Sequence, residues 1–333
     1  VVLIKQVSEV QAKILKELLA DGRRSQEEIA ENTGLPKETV KKNYLKMEKT
    51  GIITGATTHI NYKIFGYRVV ANMLINVDSG QAEQLIEYLR KMPEVYSASS
   101  AGTKGNINFV AILKTLEQLN EVKDCIKNNF LVLEMRTAIW TDVKEMNYNL
   151  SINVSNRKNP HIPVNNVTEQ PARESNPKSV TIDEIDQKIA DILAENGQIA
   201  MEELSQKTGI SPETAKKRYE KLRKNGVLKV TIQVNPYKMG YRALCVFFTV
   251  TSDEKSFQVI NKVSNIPDVI SIMKTTGDYD MQIYAMVQDL DQLLNIQEEI
   301  GKIQGIKKID LEILRFGEKW EKWPTPRQYI STF

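Results

Sequence analysis

The chain has 333 residues, and its 45 Lys and Arg against 42 Asp and Glu leave a net charge of only +3. Hydrophobic residues make up 41% and charged residues 26%, which excludes a largely disordered chain and, at this length, favours two to four domains. The small net charge excludes a polycation, so any nucleic-acid footprint must lie in where the charge sits.

In chain order, residues 9–20 place Val10, Ile14, Leu15, Leu18 and Leu19 on one helical face, and Gly22 ends that helix. Ser25 caps a second helix, 26–32, whose Glu27 and Glu28 suit its first turn. Thr33-Gly34 turns the chain into a third helix from about Pro36 to Lys49, with proline in the opening turn. A polar stretch at 54–63 suits a short hairpin or wing. Then come a strand at 67–77, a helix at 80–91, strands near 94–101 and 106–113, a helix at 116–128 and a strand at 131–141. The latter series is β-α-β-β-α-β, a ferredoxin-like unit.

Ser151 to Val180 carries Pro160, Pro163, Pro171, Pro177 and six Asn without an apolar period. It reads as a tether, or else as an ordered strap. Beyond it the pattern starts again. Residues 8–53 slide onto 183–228 without a gap, with 17 of 46 positions identical, among them Gly22/Gly197, Gly34/Gly209 and Gly51/Gly226. Asn61–Arg68 echoes Asn235–Arg242, and Leu116–Leu119 echoes Leu290–Leu293. The expected fold class is therefore α+β, with two copies of a winged helix-turn-helix followed by a ferredoxin-like domain. The segments are 1–62 and 63–150, a linker at 151–180, then 181–236 and 237–333.

Two short helices, a Gly-containing turn and a Lys-rich third helix spell a helix-turn-helix. Ala30 lets the second helix approach the third, and Val40 reaches into the core. Residues 35–50 carry +3 and residues 210–225 carry +4, while the other 301 residues sum to −4. Positive charge is thus concentrated on the two helices expected to enter the major groove of double-stranded DNA. The expected contacts are Lys37, Lys41, Lys42 and Lys46 in one head, and Ser211, Lys216, Lys217, Arg218 and Lys221 in the other. The plainer alternative is a solvated amphipathic face.

These segments resemble the Lrp/AsnC (leucine-responsive) transcription regulators. The resemblance rests on IDEIDQKIADILAENGQIAMEELSQKTGISPETAKKRYEKLRKNGVL and TTGDYDMQIYAMVQDLDQL in the second half, and on ILKELLADGRRSQEEIAENTGLPKETVKKNYLKMEKTGII in the first. It implies an N-terminal winged helix-turn-helix and a C-terminal sensing and dimerising domain, often called RAM. Family members usually carry one such module per chain, whereas this chain carries two. It is therefore expected as a homodimer or an intrachain pseudo-dimer.

The resemblance also places a small-molecule effector, usually an amino acid, near Gly277-Asp278-Tyr279-Asp280. There Gly277 can expose backbone N–H groups to a carboxylate, and Asp278 or Asp280 can accept from an ammonium. A simple hairpin turn is the plainer reading of the same residues. The corresponding Gly105-Asn-Ile-Asn108 has lost both acids.

No apolar run approaches the roughly 20 residues of a membrane span. The N-terminus lacks a signal-peptide pattern, so the cytoplasm is the expected address. Cys125 and Cys245, both expected to be buried, form no CxxC pair. With only His59 and His161 besides, neither a metal nor a cofactor is expected. Some proteins similar to this family pair two modules and decarboxylate a tetrapyrrole such as siroheme. That enzyme class, and a ligand-binding assembly scaffold without DNA binding, stand as alternatives to a non-enzymatic regulator. Trp320 and Trp323 are read as covering the edge of their own domain.

Overall fold

A computed structural model describes residues 7–100, 107–145, 181–252 and 256–315. The expected linker at 151–180, Gly105, His161, Trp320 and Trp323 lie outside them. The described chain divides into two compact units, and each takes one part from either half of the sequence.

The first unit spans the described residues up to Gly66 and from 181 to Met239. Its elements are α1 (Glu9–Ala20), α2 (Gln26–Thr33), α3 (Lys37–Lys49) and β1 (Ile53–Ile60), then α6 (Glu184–Glu195), α7 (Met201–Thr208), α8 (Pro212–Lys224) and β6 (Leu228–Val234). The helix starts are set locally. Ser8 and Ser25 each close a capping box, with Gln11 and Glu28, and Asp183 and Ser211 accept from the backbone N–H groups of Asp186 and Thr214. Gly34 and Gly209 end α2 and α7 at φ +68° and +73°, a conformation that costs glycine little. Ile14, Leu15, Leu18, Ile29, Val40 and Met47 fill the first head, and Ile189, Leu193, Leu204, Ala215, Tyr219 and Leu222 the second.

The hairpin expected at 54–63 does not form. Residues 53–60 are one strand whose antiparallel partner is β6 of the other head. The polar, β-rich segment satisfies its backbone across the repeat rather than on itself. The register shift between Ile53 and Gly55 absorbs the extra residue that makes β1 eight residues long against seven in β6.

The second unit spans the described residues from Tyr67 to 145 and from Gly240 to 315. Its elements are β2 (Val69–Val77), α4 (Ala82–Lys91), β3 (Val95–Ser100), β4 (Ile107–Leu113), α5 (Leu116–Asn129) and β5 (Val132–Glu145). They are followed by β7 (Ala243–Thr251), α9 (Ser256–Ser264), β8 (Val269–Gly277), β9 (Met281–Val287), α10 (Leu290–Gly301) and β10 (Ile306–Arg315). The strands form one sheet in the order β10-β7-β9-β8-β5-β2-β4-β3. Each half has the ferredoxin-like order, and the halves share a register: Leu74 opposes Arg136 in one, Phe248 opposes Asp310 in the other. Strand β5 runs beyond the expected 131–141 because its far end pairs with β8, from Ala138 opposite Gly277 to Glu145 opposite Ser271.

Alternation along the strands sends one set of side chains to the helices. Ala71, Met73 and Ile75 pack with Leu85, Leu89, Val122 and Ile126, and Cys245 and Phe247 pack with Val259, Val263 and Ile296. The opposite set meets its counterpart in the other half. Strands β2 and β9 have two strands between them, roughly 14 Å apart in a flat sheet. Even so, Gln282 Nε2 donates to Asn72 Oδ1 at 3.2 Å, and Leu74 shares a buried cluster with Val246, Phe248 and Tyr279. The sheet therefore folds over at the β5–β8 junction, and its two halves face one another. Cys245 is buried as expected, whereas Cys125 is only half-buried and sits 2.8 Å from the Tyr88 hydroxyl, on the rim between α4 and α5.

Candidate nucleic-acid interface and effector loop

On α3, Val40 and Met47 turn inward, which leaves Lys41, Lys42 and Lys46 exposed along the other face. Lys37 is also exposed but bonds Glu27 of α2, which holds that carboxyl below its ordinary range. On α8, Ala215, Tyr219 and Leu222 turn inward, leaving Lys216, Lys217 and Lys221 exposed. Ser211 is the N-cap, its Oγ accepting from Thr214 N–H at 3.2 Å. Lys217 makes an exposed one-turn pair with Glu213 at 2.8 Å.

Arg218 takes a different position. Its Nη1 lies 2.7 Å from Asp183 Oδ2 and 2.8 Å from Asp186 Oδ1, and Lys221 Nζ reaches Asp186 Oδ2 at 3.1 Å. The Asp186 side chain is fully buried, and these two cations compensate it. The Arg218 hydrogen bond holds the Asp183 carboxyl below the ordinary aspartate range. Head one has Ser8, Gln11 and Asn43 at the corresponding places. The clamp from the third helix to the first thus belongs to head two.

The heads are joined closely. Gly22 N–H donates to Val230 O at 3.0 Å, and a Cβ on Gly22 would stand 2.6 Å from the Thr231 carbonyl carbon. Thr231 Oγ1 donates to Leu19 O at 2.9 Å, and Thr58 Oγ1 to Leu193 O at 2.6 Å. Arg23 donates to the carbonyls of Gly197 and Ile199 at 2.7 and 2.8 Å, and it lies over the Tyr219 ring. Arg223 returns the contact to Asp21 at 2.8 Å. Sequence reading missed Arg23. Its only signal was the contrast with Gln198, which instead donates to Tyr44 OH at 3.3 Å. Beside this junction lies an open cleft of about 410 Å³ lined by Leu18, Arg23, Arg24, Ile29, Tyr44 and Gln198, among others.

In the second unit, Gly277 to Asp280 links β8 to β9 against strand β5 of the first half. Gly277 has φ +121°, and a Cβ there would meet Thr137 O at 2.5 Å. Exposed Asp278 accepts from Thr137 N–H at 3.1 Å, and Asp280 accepts from Thr251 N–H at 2.7 Å. Tyr279 is buried. Its hydroxyl accepts from Arg136 at 2.9 Å and donates to Asp310 at 2.8 Å, and burial pushes its pKa up to about 12. Asn108, expected to correspond to Asp280, instead opposes Leu74 as Gln282 opposes Phe248, so its counterpart is Gln282; it is buried and accepts from Asn72 at 2.9 Å.

Among the described residues, no group of three or more His, Cys, Asp and Glu could hold a metal ion, and no helix is long and apolar enough to cross a membrane. His59 lies exposed on β1.

Comparison with known proteins follows these parts. Residues 8–54 match a winged helix-turn-helix DNA-binding model, 182–223 the AsnC-type helix-turn-helix domain, and 245–314 the Lrp/AsnC ligand binding domain. The HTH-type transcriptional regulator FL11 of Pyrococcus furiosus is 33% identical over 127 residues, which are 38% of this chain and 84% of that protein. The HTH-type transcriptional regulator LrpA of Pyrococcus horikoshii is 32% identical over 130 residues, 38% of this chain and 92% of that one. A crystal structure of the siroheme decarboxylase NirDL covers 95% of this chain and 96% of its own at a TM-score of 0.60. With 15% sequence identity, that likeness is one of fold. The helix-turn-helix heads, the ferredoxin-like sensing fold and relatives matched over most of their own length make this chain a member of the Lrp/AsnC family.

Proposed function

We propose that the chain is a non-enzymatic, sequence-specific transcription regulator that works in the cytoplasm and grips double-stranded DNA with two unlike heads. The observation that carries this reading is the pair of exposed lysine faces on α3 and α8, borne by heads that one two-stranded ribbon joins. Lys41, Lys42, Lys46, Lys216 and Lys217 supply phosphate and base-edge contacts, with Ser211 at the start of α8. Lys37, Lys217, Arg218 and Lys221 reach DNA by exchanging an acidic partner for phosphate. Binding of a labelled duplex across a salt series, set beside a variant with Lys41 and Lys42 both neutralised, tests the reading. Equal affinity and equal salt slope would end it.

The ligand-binding match over 245–314 supports an effector at the Gly277–Asp280 loop. An amino acid is the class that suits it, its ammonium placed by exposed Asp278. A second reading, an enzyme acting on a tetrapyrrole, shares the fold. Against it, the chain has no histidine anywhere in 63–150 or 237–333. Tetrapyrrole absorbance in the purified protein together with weak DNA binding would favour it.

A further inference from the structure

The two sensing halves carry opposite charges at matching places. Arg136 opposes Leu74 on β2, and Asp310 opposes Phe248 on β7, so the shared register makes 136 and 310 equivalent positions. Two residues earlier on the same strands, Glu134 is equivalent to Lys308. Each half holds its own ion pair, Arg136 with Glu134 at 2.6 Å and Lys308 with Asp310 at 2.9 Å. The equivalent positions also meet: Arg136 Nη1 lies 3.9 Å from Asp310 Oδ2, and the Tyr279 hydroxyl bridges them. Equivalent residues that touch lie beside the local two-fold relation between the halves. A half paired with a copy of itself would therefore set Arg against Arg, or Asp against Asp, with the Asp310 side chain only 9% exposed.

A second set of contacts across the halves points the same way. Fully buried Gln282 accepts from Trp140 Nε1 at 2.9 Å and donates to Asn72 at 3.2 Å, both in the first half. The positions equivalent to Asn72 and Trp140 are Val246 and Leu314. Second half against second half would remove both of these partners and leave the Gln282 Nε2 donor facing apolar groups, with only the Tyr284 hydroxyl of its own half still reaching Oε1 at 3.2 Å.

We propose that Glu134, Arg136, Lys308 and Asp310, with Asn72, Trp140 and Gln282, form a pairing code by which each sensing half accepts the unlike half and rejects a copy of itself. The partner for this surface is the other half of the same chain. One polypeptide then carries a complete sensing pair without recruiting a second copy through this face.

The test uses the full chain without DNA and reads amide exchange across the β5–β8 junction. One variant carries Glu134→Lys with Arg136→Asp, another Lys308→Glu with Asp310→Arg, and a third all four changes. The first two keep the ion pair inside each half but make the halves alike. They should lower junction protection about ten-fold, and the four-fold variant should restore it. Mixing the two half-swapped chains should yield two-chain species containing one of each, seen by native mass spectrometry. Wild-type protection in the half-swapped chains, no recovery in the four-fold variant, or a mixture without mixed species would each overturn the code.

Discussion

Thr57 and Thr231 oppose each other in the ribbon that joins the two heads, and every pairing on one side of them is repeated on the other. Ala56 meets Ile232 where Thr58 meets Val230, and Gly55 meets Gln233 where His59 meets Lys229. A local two-fold relation therefore passes between these threonines. It relates heads whose backbones match and whose exposed side chains agree at Lys41/Lys216 and Lys42/Lys217 but differ at positions such as Lys37/Pro212.

Neutralising Lys41 with Lys42, or Lys216 with Lys217, should weaken DNA binding and flatten the salt slope by about 0.9 for each phosphate that no longer meets a lysine. Arg218→Ala should act differently, since Arg218 compensates the buried Asp186. Its main effect is a lower melting temperature of head two. Anisotropy titrations from low to high salt, with melting curves on the same variants, separate the two effects. Equal slopes in wild type and both double variants would remove these lysines from the interface.

Unlike recognition helices should select unlike half-sites. The heads differ at Pro36/Ser211, Lys37/Pro212, Asn43/Arg218 and Leu45/Glu220. Each mismatched base pair should cost about 1–3 kcal/mol. Selection from random duplexes should return two different half-sites about one helical turn, or a multiple, apart. A variant whose 36–45 segment is replaced by 211–220 should shift toward symmetry. A symmetric site from wild type, unchanged in that variant, would refute the idea.

Gly22→Ala should destabilise the joined heads more than Gly197→Ala. The first Cβ would meet the Thr231 main chain at 2.6 Å, whereas the second meets only side-chain atoms, of Thr58 and Val230, at 3.0 Å. A cost of about 1–3 kcal/mol is expected for Gly22→Ala, from overpacking against a fixed backbone. Urea unfolding of both variants gives the order, and equal midpoints would contradict it.

Burial raises the Asp191 pKa to about 6, against an unfolded value near 3.9. The folded state therefore binds this proton more tightly. Its contribution to stability is full below about pH 4 and is lost as pH rises through about 6. Asp191→Asn should stabilise head two at pH 7 by about 1 kcal/mol, a figure discounted for partial exposure, and should change little at pH 4. Melting temperatures at the two pH values check the sign.

Calorimetry across the amino acids should show one site per chain at most, weakened by Asp278→Asn. At the repeat offset of 174 set by the shared register, the first half has Lys104 and Asn106 in place of Asp278 and Asp280, so it lacks a counter-charge for an ammonium. Two equal sites per chain would contradict this preference. The absence of any binding would leave Gly277–Asp280 as a turn.

The helices of both heads were legible from the chain alone, because the signals that set them are local. Ser25 with Glu28, Gly34 and Gly209, and the apolar spacing of Ile14, Leu15 and Leu18 all act within a turn or two of backbone. The repeat and the concentration of lysine on α3 and α8 could be read in the same way. Strand partners could not. A polar β-rich segment such as 53–60 states only that its backbone needs a partner, and both a hairpin and a distant strand satisfy that need. Tertiary structure chose β6, extended β5 to meet β8, and drew Arg218 back onto Asp186. It also placed Arg136 beside Asp310, although 173 residues of sequence separate them. Each of these depends on packing between segments far apart in the chain, where the free energy of burial and pairing decides among arrangements that local propensity leaves equal.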